Sequence, residues 1–171
     1  MQPPERSLNM DFGSLGSLSI NGFKGFRQID KLALDLDEVP QVKGIYVMLY
    51  TSSEYPNFCK NGSGGWFKGE DPNEDKDFLE DRWVHGAIVV YIGMSDRPLR
   101  TRVSEFLKFG NGQNIGHRGG RLVWQIQERR QLALCWKAYG EYPRTVREIE
   151  RAMIAEFEAT YGKRPFANIK R

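Results

Sequence analysis

Cysteine is nearly absent from this 171-residue chain: only Cys59 and Cys135 occur, far apart and in no CxxC or Cys/His pattern. That spacing argues against a disulfide framework and against a structural zinc site, and both residues read as reduced thiols. Long apolar runs are missing too. None approaches the roughly 18 residues that a membrane-spanning helix needs, and the start MQPPERSLNM lacks the basic-then-apolar pattern of a secretory signal. The expectation is a cytoplasmic protein with no membrane partner. There is no internal repeat or low-complexity tract. What is present is 40% hydrophobic, 27% charged and 12% aromatic, which excludes intrinsic disorder and suits one domain with its own core.

Net charge is only +3, but it is unevenly spread. Residues 1–93 hold 9 Lys/Arg against 14 Asp/Glu, and residues 94–171 hold 16 against 8. A polyanion would bind the second half.

The first 16 residues are polar, with Pro, Gly and Ser, and read as a loose lead-in. Residues 17–43 combine an extended piece around Ile20 and Phe23 with a short amphipathic stretch before Pro40. The whole of residues 1–41 is expected to form an N-terminal extension. Residues 44–50 (GIYVMLY) and 87–92 (AIVVYI) alternate and are rich in branched and aromatic residues, so both read as strands. Alternation puts Tyr46, Met48 and Tyr50 on one face, and Val89 with Tyr91 on another. Between the strands lies an insert, residues 51–86, whose tract GEDPNEDKDFLED carries seven carboxylates and one lysine. Such a run reads as a solvated loop, and its spacing fits no calcium-binding loop. Helices are expected at 98–109, 119–128 and 145–161, and a third strand at 131–139. Pro98 suits a first helical turn, and Thr145 with Glu148 forms a capping box.

Two charges sit where packing should exclude them. At 100° per residue, the last helix places Val146, Ile149, Met153, Ile154 and Phe157 in an arc of roughly 140°, and Glu150 falls inside it. A charged carboxylate there needs a cation, a hydrogen-bond network or a metal. In the helix over 98–109, Arg102 falls between Phe106 and Phe109 on the apolar face. Its planar five-donor fork suits either Glu150 or a substrate phosphate.

The tripeptides GIY at 44–46 and YIG at 91–93 stand on successive expected strands. They are followed by LRTRV on a helix, ERAMI on a late helix and a terminal PFANI. Over about residues 42–170 this ordered set resembles the GIY-YIG endonucleases, most of all their small free-standing bacterial members. The resemblance implies an α/β (α+β) fold with a small central three-stranded antiparallel sheet flanked by helices, here with the N-terminal extension and the long insert in a single domain. It further implies that Tyr46 and Tyr91 flank a scissile phosphate, that Arg102 contacts it, that Glu150 holds one magnesium ion, which manganese would replace, and that Asn168 supports the site. The expected activity is metal-dependent hydrolysis of DNA phosphodiester bonds. Alternatives are a nucleic-acid-binding module without chemistry, with Glu150 pairing Arg102, and a dimeric restriction endonuclease; the oligomeric state stays open.

Such hydrolysis needs in-line attack by water, charge stabilisation on the phosphoryl oxygens and help for the departing 3′ oxygen. A carboxylate-held cation suits the last two tasks. The base is assigned to Tyr46, provided that its surroundings lower a pKa of about 10, with Tyr91 orienting the water. Many members of that family carry a histidine one turn after the helix arginine, where this chain has Phe106. His117, in NIGHRGGRL, is an alternative group that could fold back over the phosphate; His85 reads as an ordinary loop residue. Arg97, Arg100, Arg118, Arg121, Arg129 and Arg130 are candidates to line a groove for the DNA backbone. The insert could carry a DNA-contacting lobe around Trp66 and Lys68, cap the site with its acidic tract, or be a simple surface insertion.

Overall fold

The computed structural model describes residues 9–169. In chain order the elements are α1 (Leu15–Ile20), β1 (Lys24–Gln28), α2 (Ile29–Leu34), β2 (Gly44–Tyr50), α3 (Lys76–Arg82), β3 (Val89–Ser95), α4 (Leu99–Gly110), β4 (Leu132–Ala138) and α5 (Val146–Tyr161). Short 3-10 turns lie at Phe67–Gly69, Arg121–Gln125 and Arg129–Gln131. The strands form one antiparallel sheet in the order β1-β4-β2-β3. The sheet therefore has four strands, and the three-stranded sheet expected from the sequence is incorrect.

The extra strand comes from the N-terminal extension. β1 adds to the outer side of β4, and its register breaks between Gly25 and Arg27, where Phe26 takes a φ of 54°. That break disturbs the alternation by which a strand is recognised in sequence. Of the lead-in, residues 1–8 lie outside the described residues, but Met10 and Phe12 are buried in the core. The helix expected at 119–128 is also incorrect. Only one 3-10 turn forms there, after Gly120 at φ 77°.

All seven residues of β2 are buried, so the sheet is covered on both faces. On one face Tyr46, Met48 and Tyr50 pack with Leu99, Phe106 and Trp124. On the other, Ile45, Val47 and Leu49 pack with Phe12, Ile149 and Phe157. Thus α4 and α5 lie on opposite sides of the sheet. The last helix starts as its sequence indicates: Thr145 Oγ1 accepts from the Glu148 amide at 3.1 Å, and Glu148 accepts from the Thr145 amide at 2.8 Å.

A bulge corrects the expected faces of β3. Met48 pairs with Tyr91 and Leu49 with Val89, which leaves Val90 as an extra residue. Val89 consequently joins the α5 side, while Tyr91 joins the α4 side beside Tyr46. The free edge of β3 is closed by the C-terminal segment. The Asn168 side chain accepts from the Ile92 amide at 2.9 Å and donates to the Ile92 carbonyl at 2.8 Å, and the Ala167 amide donates to Val90.

Gly93 faces Tyr46 across the β2–β3 pair, and a Cβ there would lie 2.4 Å from the Tyr46 ring. The ring is held between Tyr91 and Phe106. Gly93→Ala is expected to destabilise the fold by about 1–3 kcal/mol through overpacking, read as a lower urea midpoint at unchanged slope.

Candidate anion-binding site

A cavity of about 940 Å³ opens at the β3 edge, where the sheet's last strand lets side chains from both helical layers meet. Tyr46 and Tyr91 enter it from β2 and β3, Arg102 from α4, Glu150 from α5, and Asn168 from the terminal segment. The structure thus brings together five residues that lie far apart in the chain. Arg118 and Arg121 also line the cavity.

The other four expected groove residues are elsewhere. Arg97 makes a two-pronged pair with Glu105 at 2.9 and 2.7 Å, and Arg100 donates to the carbonyls of Val39 and Asp37. Arg129 binds Asp30 at 2.7 Å and lies over the Trp124 ring, beside a separate small cleft. Arg130 is exposed on a 3-10 turn. In their place stand three arginines that the sequence reading missed, Arg147 and Arg151 on α5 and Arg164 after it. The first two flank Glu150 on its own helix, where charged residues read as ordinary helix surface.

Six arginines therefore line the cavity against two carboxylates, Glu150 and Glu158. Arg102, Arg118 and Arg121 pair with Glu105, Glu70 and Glu74, and the excess of positive charge that remains favours an anion over a divalent cation. Hard cations need several oxygen ligands, and no group of three or more His, Cys, Asp or Glu stands together among the described residues in a way that could hold a metal. The residues do not fit the magnesium or manganese site expected at Glu150. The metal-dependent endonuclease reading, including its restriction variant, is corrected accordingly.

The phenols behave differently from the expectation as well. Tyr46 is 1% exposed and Tyr91 8% exposed, with ring centroids 6.0 Å apart. Burial is the main reason that the Tyr46 pKa lies above its ordinary value, although Arg102 and a hydrogen bond from Tyr91 oppose the shift. Burial followed by the neighbouring Tyr46 raises Tyr91 further still. Both phenols hold their protons at neutral pH, so Tyr46 is a hydrogen-bond donor and not the base assigned to it.

Its oxygen also has an inner neighbour. Tyr46 Oη lies 3.2 Å from His117 Nε2, and His117 is completely buried beside Phe106, with ring centroids 4.8 Å apart. Desolvation, reinforced by Arg102, lowers the His117 pKa to about 3, so the imidazole is neutral. Its Nδ1 has no hydrogen-bond partner among the described residues. His117 stands behind Tyr46 and does not line the cavity. The loop that carries it is fitted closely: a Cβ on Gly120 would meet the Tyr91 ring at 2.9 Å.

Arg102 also donates to Glu105 at 3.2 Å, so Glu105 gathers Arg97 and Arg102 into one cluster. The arrangement supplies fixed positive charge and oriented donors around a recess. No helix of the described residues is long and apolar enough to cross a membrane.

The buried imidazole has a consequence for stability. In the unfolded chain His117 takes a proton as the pH falls through 6.5, whereas the folded chain resists protonation until about 3. Its contribution is therefore present above pH 6.5 and is lost as the pH falls towards 3. Chemical denaturation between pH 6.5 and about 5, above the carboxylate range, is expected to show falling stability in the wild type and a flatter profile in His117→Gln.

Comparison with known proteins adds no relative: no family model, no curated protein and no solved structure matches the chain.

Proposed function

We propose that the protein binds DNA, taking backbone phosphates into the cavity at the β3 edge. The observation that carries this reading is the convergence of six arginines on a recess whose floor holds two protonated phenols. Guanidinium groups present planar forks that match phosphate oxygens and cannot lose their charge. The cavity volume lies near the top of the roughly 300–1,000 Å³ range of small-molecule pockets, but a wall so rich in arginine suits a polyanion better than an apolar ligand. Charge at the level of the whole chain points the same way, because the C-terminal half carries the excess of Lys and Arg.

Phosphate contacts release counterions, so affinity falls steeply with salt. In fluorescence anisotropy with a labelled duplex, Arg118→Ala and Arg151→Ala are each expected to weaken binding similarly for unrelated sequences and to lower the salt slope by about one. Arg130→Ala, outside the cavity, is expected to bind as the wild type does. Equal loss in all three variants, or binding unaffected by salt, would overturn the assignment. Single-stranded DNA, RNA and heparin in the same assay separate a DNA site from a general polyanion site.

A further inference from the structure

Two of the cavity arginines are already engaged by the insert that precedes β3. Arg121 pairs with Glu74 at 2.6 Å and Arg118 with Glu70 at 3.2 Å. These two contacts differ in kind. The Glu74 backbone is held at both ends by the buried Gln125 side chain, which donates to its carbonyl and accepts from its amide, each at 2.9 Å. Arg121 is only 17% exposed, so the Glu74 contact belongs to the framework.

Glu70 and Asp71 are arranged as a releasable cup. The Glu70 carboxylate is 64% exposed and faces Arg118 Nε, while the Glu70 and Asp71 carbonyls accept from the two outer nitrogens of the same guanidinium at 3.4 and 3.5 Å. All three kinds of donor on Arg118 thus meet acceptors from two adjacent residues, as they would meet a phosphate group. The turn before them is strained, since Lys68 is held at φ 54°, a region that side-chain-bearing residues rarely adopt. Downstream, buried Pro72 and the Asn73 side chain, which accepts from the Gly62 amide at 2.8 Å, fix the chain again. The exposed piece is therefore short and anchored at its far end. Elsewhere in the acidic tract, Asp75 caps α3 and Glu80 pairs with Lys76.

We propose that residues 70–71 form a built-in competitor for Arg118, an anionic strap that a backbone phosphate must displace before the cavity is filled. This rests on the phosphate-binding reading above and adds its regulation. An exposed ion pair of this type is weak, so the strap tunes affinity and does not close the site.

The test compares wild type, Glu70→Gln, Arg118→Ala and the double variant by anisotropy with a short labelled duplex at low salt. Glu70 is exposed, so its replacement leaves the core untouched. Glu70→Gln is expected to bind about two- to fivefold tighter than wild type, and the gain is expected to vanish in the Arg118→Ala background. An unchanged or weaker affinity in Glu70→Gln, while the wild type binds, overturns the strap and leaves DNA binding standing. An equal gain with and without Arg118 shows a general charge effect and also overturns the strap. If neither wild type nor Glu70→Gln binds DNA, both proposals fall.

Discussion

A strand buried on both faces must be covered twice, and most of this architecture follows from that demand at β2. Its odd-numbered side chains need α5 and the N-terminal segment; its even-numbered ones need α4 and the insert. Because the two layers end near the same sheet edge, residues from opposite faces of β2 and β3 come within reach of one recess. Tyr46 is shared by both roles. Its ring is core, packed against Phe106 and Tyr91, and the same residue lines the cavity.

That dual position explains the chemistry of the site. A phenol buried this deeply keeps its proton, and a neutral imidazole stands behind it within hydrogen-bond distance. The positive charge that an anion would meet comes from arginines at the rim, which stay partly hydrated and lose little on ionisation. Interior hydrogen bonds and peripheral charge are thereby separated. The interior fixes geometry, and the rim supplies attraction.

Much of this was legible in the sequence where a signal was local. The capping box at Thr145 marked the start of α5, the apolar stripe of α4 was read correctly, and the alternation of GIYVMLY gave β2 and the shared face of Tyr46, Met48 and Tyr50. Failures came where tertiary packing overrode a local pattern. The bulge at Val90 turned Val89 away from Tyr91, the left-handed Phe26 concealed β1, and GGRLVWQIQE yielded a single 3-10 turn despite its helical look. His117 lies among glycines and polar residues that give no hint of burial, yet the fold encloses it fully. The arginines of α5 were overlooked because a wheel identifies the unexpected charge on an apolar face and is silent about the polar face beside it. The metal expectation depended on one inward carboxylate, whereas ligation requires a cluster that only the folded chain can display.

The closure of β3 by Asn168 has a further implication. Its amide imitates a peptide unit, filling the hydrogen-bonding positions at Ile92 that a neighbouring strand would otherwise take. A border treated in this way offers no ladder to a foreign backbone at that point. The recess thus opens beside a stretch of sheet edge whose peptide groups at Val90 and Ile92 are already taken.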